Sequence, residues 1–114
     1  MTAPLEQLFD ALERKLRAID DSRMLPEAQL EKLREEVQEV AHEIQYPDMS
    51  RLVRGERVLQ EAADVVIVAA MLCRAYGFDW SDLESAVHAK MARNVRRTWA
   101  AHNGTARHVD VEPS

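Results

Sequence analysis

Between Val65 and Cys73 the chain runs nine consecutive residues without a polar side chain. Whatever it folds into has to surround them. A helix over this stretch is apolar around its whole circumference, so it belongs in the middle of a bundle or at a subunit interface. Glu61 and Asp64 stand at its leading end, three residues apart and therefore on one helical face. The same face continues through Val68 and Met71, which makes it a core face. Carboxylates on the buried side of a central helix are costly unless a cation or a hydrogen-bond donor offsets them. The rest of the chain therefore has to supply one.

A chain of 114 residues is one domain with a thin core. Covering an all-round apolar helix with so few neighbours favours oligomerisation. Three Gly and four Pro beside 46% hydrophobic residues indicate helices with short joints. The formal charge of −5 excludes nucleic-acid binding through bulk electrostatics. A single cysteine, Cys73, excludes an intramolecular disulfide and a cysteine-ligated zinc site, leaving a packed core thiol. The N-terminus lacks the basic and apolar regions of a signal peptide, and nine apolar residues are about half of what a bilayer requires. These features describe a soluble cytoplasmic protein with no membrane partner.

Four helices are predicted. Pro4 opens the first, whose apolar stripe is Leu5, Leu8, Phe9, Leu12, Leu16 and Ile19, and Asp20-Asp21-Ser22 closes it. Pro26 suits the first position of the second, with core positions Leu30, Leu33, Val37, Val40, Ala41 and Ile44. Pro47 stops that helix near Gln45, and residues 47–55 form a loop containing Arg51 and Arg54. The central helix spans about Glu56 to Tyr76 with Gly77 as its C-terminal cap. Ser81-Asp-Leu-Glu84 has capping-box spacing and starts a fourth helix that runs to about Thr98. The organisation is all-α: a four-helix domain over 1–99 and a C-terminal tail over 100–114.

The second helix carries Glu31, Glu35, Glu36, Glu39 and Glu43. At about 100° per residue, Glu36 and Glu43 lie at the edge of the apolar stripe with Glu39 beside them, while Glu31 and Glu35 face solvent. Glu36 and Glu39 repeat the spacing of Glu61 and Asp64. Antiparallel packing of the two helices brings all four carboxylates to one spot, and an all-oxygen cluster on rigid helices suits Mg²⁺ or Mn²⁺. On the fourth helix an inward stripe begins as Leu83, Ala86 and Val87 and continues as Lys90, Asn94 and Arg97. Donors in a row without a competing negative charge suit the oxygens of a triphosphate. Basic residues that merely complement the helix dipole are the plainer alternative, but the dipole asks for neither Asn94 nor a single face.

Here the chain resembles a family. Glu35-Glu36-Val-Gln-Glu39 followed by Glu61-Ala-Ala-Asp64 is similar to the paired acidic motifs of the MazG-like all-α nucleoside triphosphate pyrophosphohydrolases. Lys90-Met-Ala-Arg-Asn94-Val-Arg-Arg97 resembles a stretch of the dCTP- and dNTP-pyrophosphatase branches, and the likeness covers about Leu30 to Trp99. It implies a helical bundle assembled into dimers or tetramers, with Mg²⁺ between two helices. The implied reaction cleaves a nucleoside triphosphate between the α and β phosphorus atoms, giving monophosphate and pyrophosphate. Carried over residue by residue, Glu36, Glu39, Glu61 and Asp64 hold metal, and Lys90, Asn94 and Arg97 hold phosphate. Glu39 is the candidate catalytic base that takes a proton from the attacking water.

Base selection would draw on Tyr46, Tyr76, Phe78, Trp80 or Trp99, though plain core is the commoner role of such aromatics, and His102 or His108 could touch phosphate, though tail histidines are usually just exposed. Three other readings compete. Glu39-Val-Ala-His42 matches one half of a di-iron carboxylate motif, but no second Glu-x-x-His accompanies it. A non-catalytic nucleotide-binding or helical interaction module accounts for the first three helices, though not for the acidic and basic faces. A phosphoribosyl-ATP pyrophosphohydrolase would share the architecture and differ in substrate.

Overall fold

The structure, a computed structural model, describes residues 4–45, 50–102 and 105–109, with side chains over 4–45 and 50–97. The helices are α1 (Leu5–Ile19), a 3-10 turn (Asp21–Met24), α2 (Pro26–Ile44), α3 (Arg51–Ala75) and α4 (Trp80–Arg96). The fold is all-α through α4. After it, the backbone of β1 (Thr98–His102) pairs antiparallel with β2 (Thr105–Val109), Thr98 opposite Val109, so that a hairpin takes up the last residues expected of the helical domain and much of the stretch read from sequence as a tail. Residues 1–80 form one compact unit and residues 81–114 a second. Among the described residues no helix is long and apolar enough to cross a membrane.

Local chemistry accounts for most boundaries. Pro4 precedes α1, and Pro26 fills the first position of α2, where its missing N–H is not needed. The Asp20 side chain accepts from the Ser22 N–H at 3.0 Å and caps the 3-10 turn. Gly77, at φ 90°, ends α3. The Phe78 N–H bonds to the Cys73 carbonyl and the Gly77 N–H to Arg74, the paired pattern of a Schellman cap. One boundary differs from expectation. α3 begins at Arg51, five residues before Glu56, so Arg51 and Arg54 are helical and not in a loop. The Ser50 side chain accepts from the Val53 N–H at 3.3 Å. With that cap in place the helix tolerates Gly55, whose cost in a helix interior is only about 1 kcal/mol. α4 starts at Trp80, one residue before Ser81, and stops at Arg96.

In the first unit α2 and α3 run antiparallel side by side. Glu43 pairs with Arg57 near the joint, while Ala28 and Gln29 reach Val68 and Met71 at the far end. The core is small: Phe9, Met24, Val68, Ala70 and Met71 are buried, and Phe9 stacks on Trp80 at 5.6 Å between ring centroids. The face α2 turns to α3 matches the predicted one only in part: Leu33, Val40 and Ala41 are half-buried, as expected of core positions. Leu30, Val37 and Ile44 are 40%, 49% and 56% exposed, whereas Gln29 and Glu36 are buried. Polar satisfaction explains the rotation in part. Gln29 Nε2 donates to the Arg23 carbonyl at 2.7 Å, closing the 3-10 turn against α2 over the buried Met24. α3 is likewise covered on one side only, with Leu52, Leu59 and Val66 exposed. Leu5, Leu8 and Ile19 of the α1 stripe are exposed as well.

Arg74 ties α1 to the C-terminal end of α3. Its guanidinium is 12% exposed and meets Glu6, Asp10 and Glu13, with Nε donating to Glu13 Oε1 at 2.9 Å. Burial pushes the Glu13 carboxyl up, but hydrogen bonds from Arg17 and Arg74 and their charges outweigh it and leave Glu13 below its ordinary 4.5. A depressed carboxylate contributes stability that is present above its unfolded pKa and lost as pH falls through the folded one. Arg74→Met should therefore cost about 2 kcal/mol at neutral pH. Urea titrations of both proteins should show that gap shrinking as pH falls below 4.5.

Candidate functional site

The site lies where the middle of α2 faces the middle of α3. Glu36, Glu39 and Glu61 each bring a carboxylate oxygen to within 4.8 Å of the other two. Antiparallel packing with a short joint fixes the register that makes this possible, because residues equidistant from the joint face one another. The three differ in surroundings. Glu36 is buried at 6% exposure, Glu61 is half-buried, and Glu39 is exposed at the mouth of an open cleft of about 480 Å³. Gln38, His42 and Glu43 line the same cleft with Glu39 and Glu61.

The electrostatics are unfavourable as they stand. Glu36 Oε2, Glu61 Oε2 and Glu43 Oε2 are enclosed without a hydrogen-bond partner, and an ionised carboxylate can only accept. Burial first, then a hydrogen bond to Glu39 open only to the protonated acid, then the charges of Glu39, Asp64 and Glu36 hold the Glu61 carboxyl above its ordinary 4.5. Three converging acids, two of which (Glu36 and Glu61) have an enclosed oxygen with no donor, fit a hard divalent cation through their chemistry. Lys32 Nζ, 3.1 Å from Glu36 Oε1, offsets part of the charge from the α2 side.

Asp64 is not among the three. It is exposed and lies, with Glu36, on the wall of a second cleft floored by Leu12, Val68 and Met71. Three residues beyond Glu61, it sits about 4.5 Å further along the axis. Lys90, Asn94 and Arg97 belong to the second unit, where Lys90 is exposed and Asn94 and Arg97 are half-buried. Ala86 and Val87 of the same expected inward stripe are exposed. Of the aromatics, Trp80 is taken up by its stack on Phe9, while Tyr76 and Phe78 are exposed. Tyr46 and the side chains of Trp99, His102 and His108 lie outside the described residues. Gln38 was not singled out from sequence, and Glu43 was placed at the edge of the apolar stripe with Glu36 but not among the metal-holding residues. Glu43 repeats Glu39 at i+4 and Glu36 at i+7, and that spacing was the available signal.

The family model of the MazG nucleotide pyrophosphohydrolase domain matches residues 25–99, the span that holds α2, α3, α4 and the acidic cluster. The chain belongs to this family. No curated protein and no solved structure matches the chain significantly. The match makes this a MazG nucleotide pyrophosphohydrolase domain, and the acidic cluster lies within it.

Proposed function

We propose that this protein hydrolyses a nucleoside triphosphate, ribo or deoxy, between the α and β phosphates, releasing the monophosphate and pyrophosphate with Mg²⁺ as cofactor. The observation that carries the reading is the convergence of Glu36, Glu39 and Glu61 in a MazG domain, with the Glu36 and Glu61 Oε2 atoms enclosed and lacking any donor. Glu36, Glu39 and Glu61, with Asp64 beside them, are the residues that would hold Mg²⁺ or Mn²⁺. A bound divalent ion supplies neutralisation of polyphosphate charge and eases deprotonation of water. The protein's residues then divide the remaining work by their surroundings. Glu36, walled off from solvent, supplies a fixed negative charge in a low-dielectric setting. Glu39, exposed at the cleft mouth, is the carboxylate with room to take the proton of the attacking water. The assignment of Lys90, Asn94 and Arg97 to the phosphates rests on the sequence pattern of α4.

Self-association belongs to the same reading. Leu30, Val37 and Ile44 on α2, and Leu52, Leu59 and Val66 on α3, recur at seven-residue intervals and are exposed. Such stripes are the surfaces helices use to pack on one another. A homodimer or homotetramer would cover them.

The test is a substrate panel: each common NTP and dNTP, and phosphoribosyl-ATP, with Mg²⁺ and with chelator. Monophosphate and pyrophosphate in equal amounts, and none after chelation, are the expected products. Orthophosphate with diphosphate would point to another reaction, and nucleotide binding without turnover would reduce the protein to a binding module.

A further inference from the structure

Three acids gathered on two helices need a positive partner whenever no divalent ion is bound, and α2 carries one at position 32. Lys32 Nζ lies 3.1 Å from Glu36 Oε1 and 3.7 Å from Glu35 Oε2. Pairs at this helical spacing are ordinarily surface contacts with both partners in water, worth little. Arg34–Glu31 is of that kind, with side chains 67% and 66% exposed. The Lys32–Glu36 pair is not: the lysine is 53% exposed and the glutamate 8%. An ammonium on a flexible stem reaches from solvent to a carboxylate that solvent hardly touches. It engages one oxygen, and the other, Oε2, is left without a donor.

Resting on the metal reading above, we infer that Lys32 is the resident counter-ion of Glu36 and gives way when a divalent cation takes that carboxylate. A buried carboxylate without a partner is strongly destabilising, so the metal-free protein needs Lys32. A second cation held by the same carboxylate repels the ammonium at short range, so the loaded protein does not. The release costs little, because Lys32 already lies near the 58%-exposed Glu35 and can keep that partner while leaving Glu36. Lys32 is thus a positioning residue. It keeps the empty site folded and charge-compensated, and it makes the site weaker for metal than its carboxylates alone would be.

The experiment uses the full chain and Mn²⁺ alone, without nucleotide. Calorimetric titration of wild type, Lys32→Met and Lys32→Arg gives the metal affinity, and thermal melting after chelation gives the stability of the empty form. The methionine variant should bind Mn²⁺ about tenfold more tightly and melt lower when metal-free, while the arginine variant should stay near wild type. Arg34→Met, which breaks an exposed pair on the same helix, should change neither quantity. Equal or weaker Mn²⁺ binding by Lys32→Met overturns the assignment of Lys32 alone. Wild-type protein that binds no Mn²⁺ overturns the metal reading on which it rests.

Discussion

Glu61→Gln should abolish turnover, by roughly a hundredfold or more, and at the same time raise the melting temperature of the chelated protein. The two effects have one cause. Glu61 supplies one of three carboxylate oxygens within 4.8 Å, and its Oε2 is enclosed with no donor. Its carboxyl is held above 4.5 by burial, by the hydrogen bond its acid form makes to Glu39, and by the charges of Glu39, Asp64 and Glu36. For a carboxyl whose folded pKa lies above its unfolded value, ionisation works against folding, so the unfavourable contribution is present at neutral pH and relieved as pH falls. Glutamine keeps the shape and removes the charge. The metal-free fold gains, and the proposed cation site loses a ligand. Melting with and without Mn²⁺ separates the effects: wild type should gain stability on metal addition, and Glu61→Gln should gain much less. Glu39→Gln tests a different role, because its carboxylate is exposed and less costly to the fold. That variant should lose turnover with a smaller change in melting temperature. If Glu61→Gln melts lower than wild type without metal and still turns over, the cluster is structural.

How much of this could be read from sequence depends on which interactions decide each feature. Helix ends decided by a single residue type were legible: Pro26 at the start of α2 and Gly77 after α3 stand where their backbone preferences place them. The start of α3 was not, because Gly55 reads as a breaker unless the Ser50 cap upstream is given its weight. The convergence of Glu36, Glu39 and Glu61 was legible because two antiparallel helices with a short joint leave little choice of register. The finer placement of Asp64 was not. A three-residue step keeps it on the helical face of Glu61 in projection and still carries it about one turn along the axis. The face of α2 was judged only partly right, for a related reason: Leu33, Val40 and Ala41 turn inward, but Leu30, Val37 and Ile44 do not. Periodicity shows that Leu30, Val37 and Ile44 share a stripe, but it does not say what the stripe faces. Gln29 is buried with its amide on the Arg23 carbonyl and Glu36 with one of its two oxygens on the Lys32 ammonium, and neither contact is visible in a hydropathy pattern.

The second large effect lies on the exposed stripe of α3. Leu59→Glu should dissociate the protein into monomers and lower its stability steeply. Leu52, Leu59 and Val66 are exposed at 74%, 65% and 50% on the helix that holds Glu61 and Asp64. Full burial of an aliphatic side chain of this size is worth about 2 kcal/mol. Placing a carboxylate in the same interface adds a desolvation cost, for a total of about 3 kcal/mol at each site. In a two-fold assembly the substitution occurs twice across the contact, so about 6 kcal/mol is lost, or some four orders of magnitude in Kd. Light scattering behind a sizing column would report the mass directly. Activity should fall with dissociation, because α3 carries Glu61 on one side and this stripe on the other. A helix left with one bare apolar side would hold the α2–α3 register less firmly. Gln60→Ala, an exposed change on the same helix about 100° round from Leu59, should leave mass and turnover as they are. A Leu59→Glu protein that keeps the wild-type mass would place the subunit contact elsewhere, and a wild type that is monomeric at all concentrations would remove it.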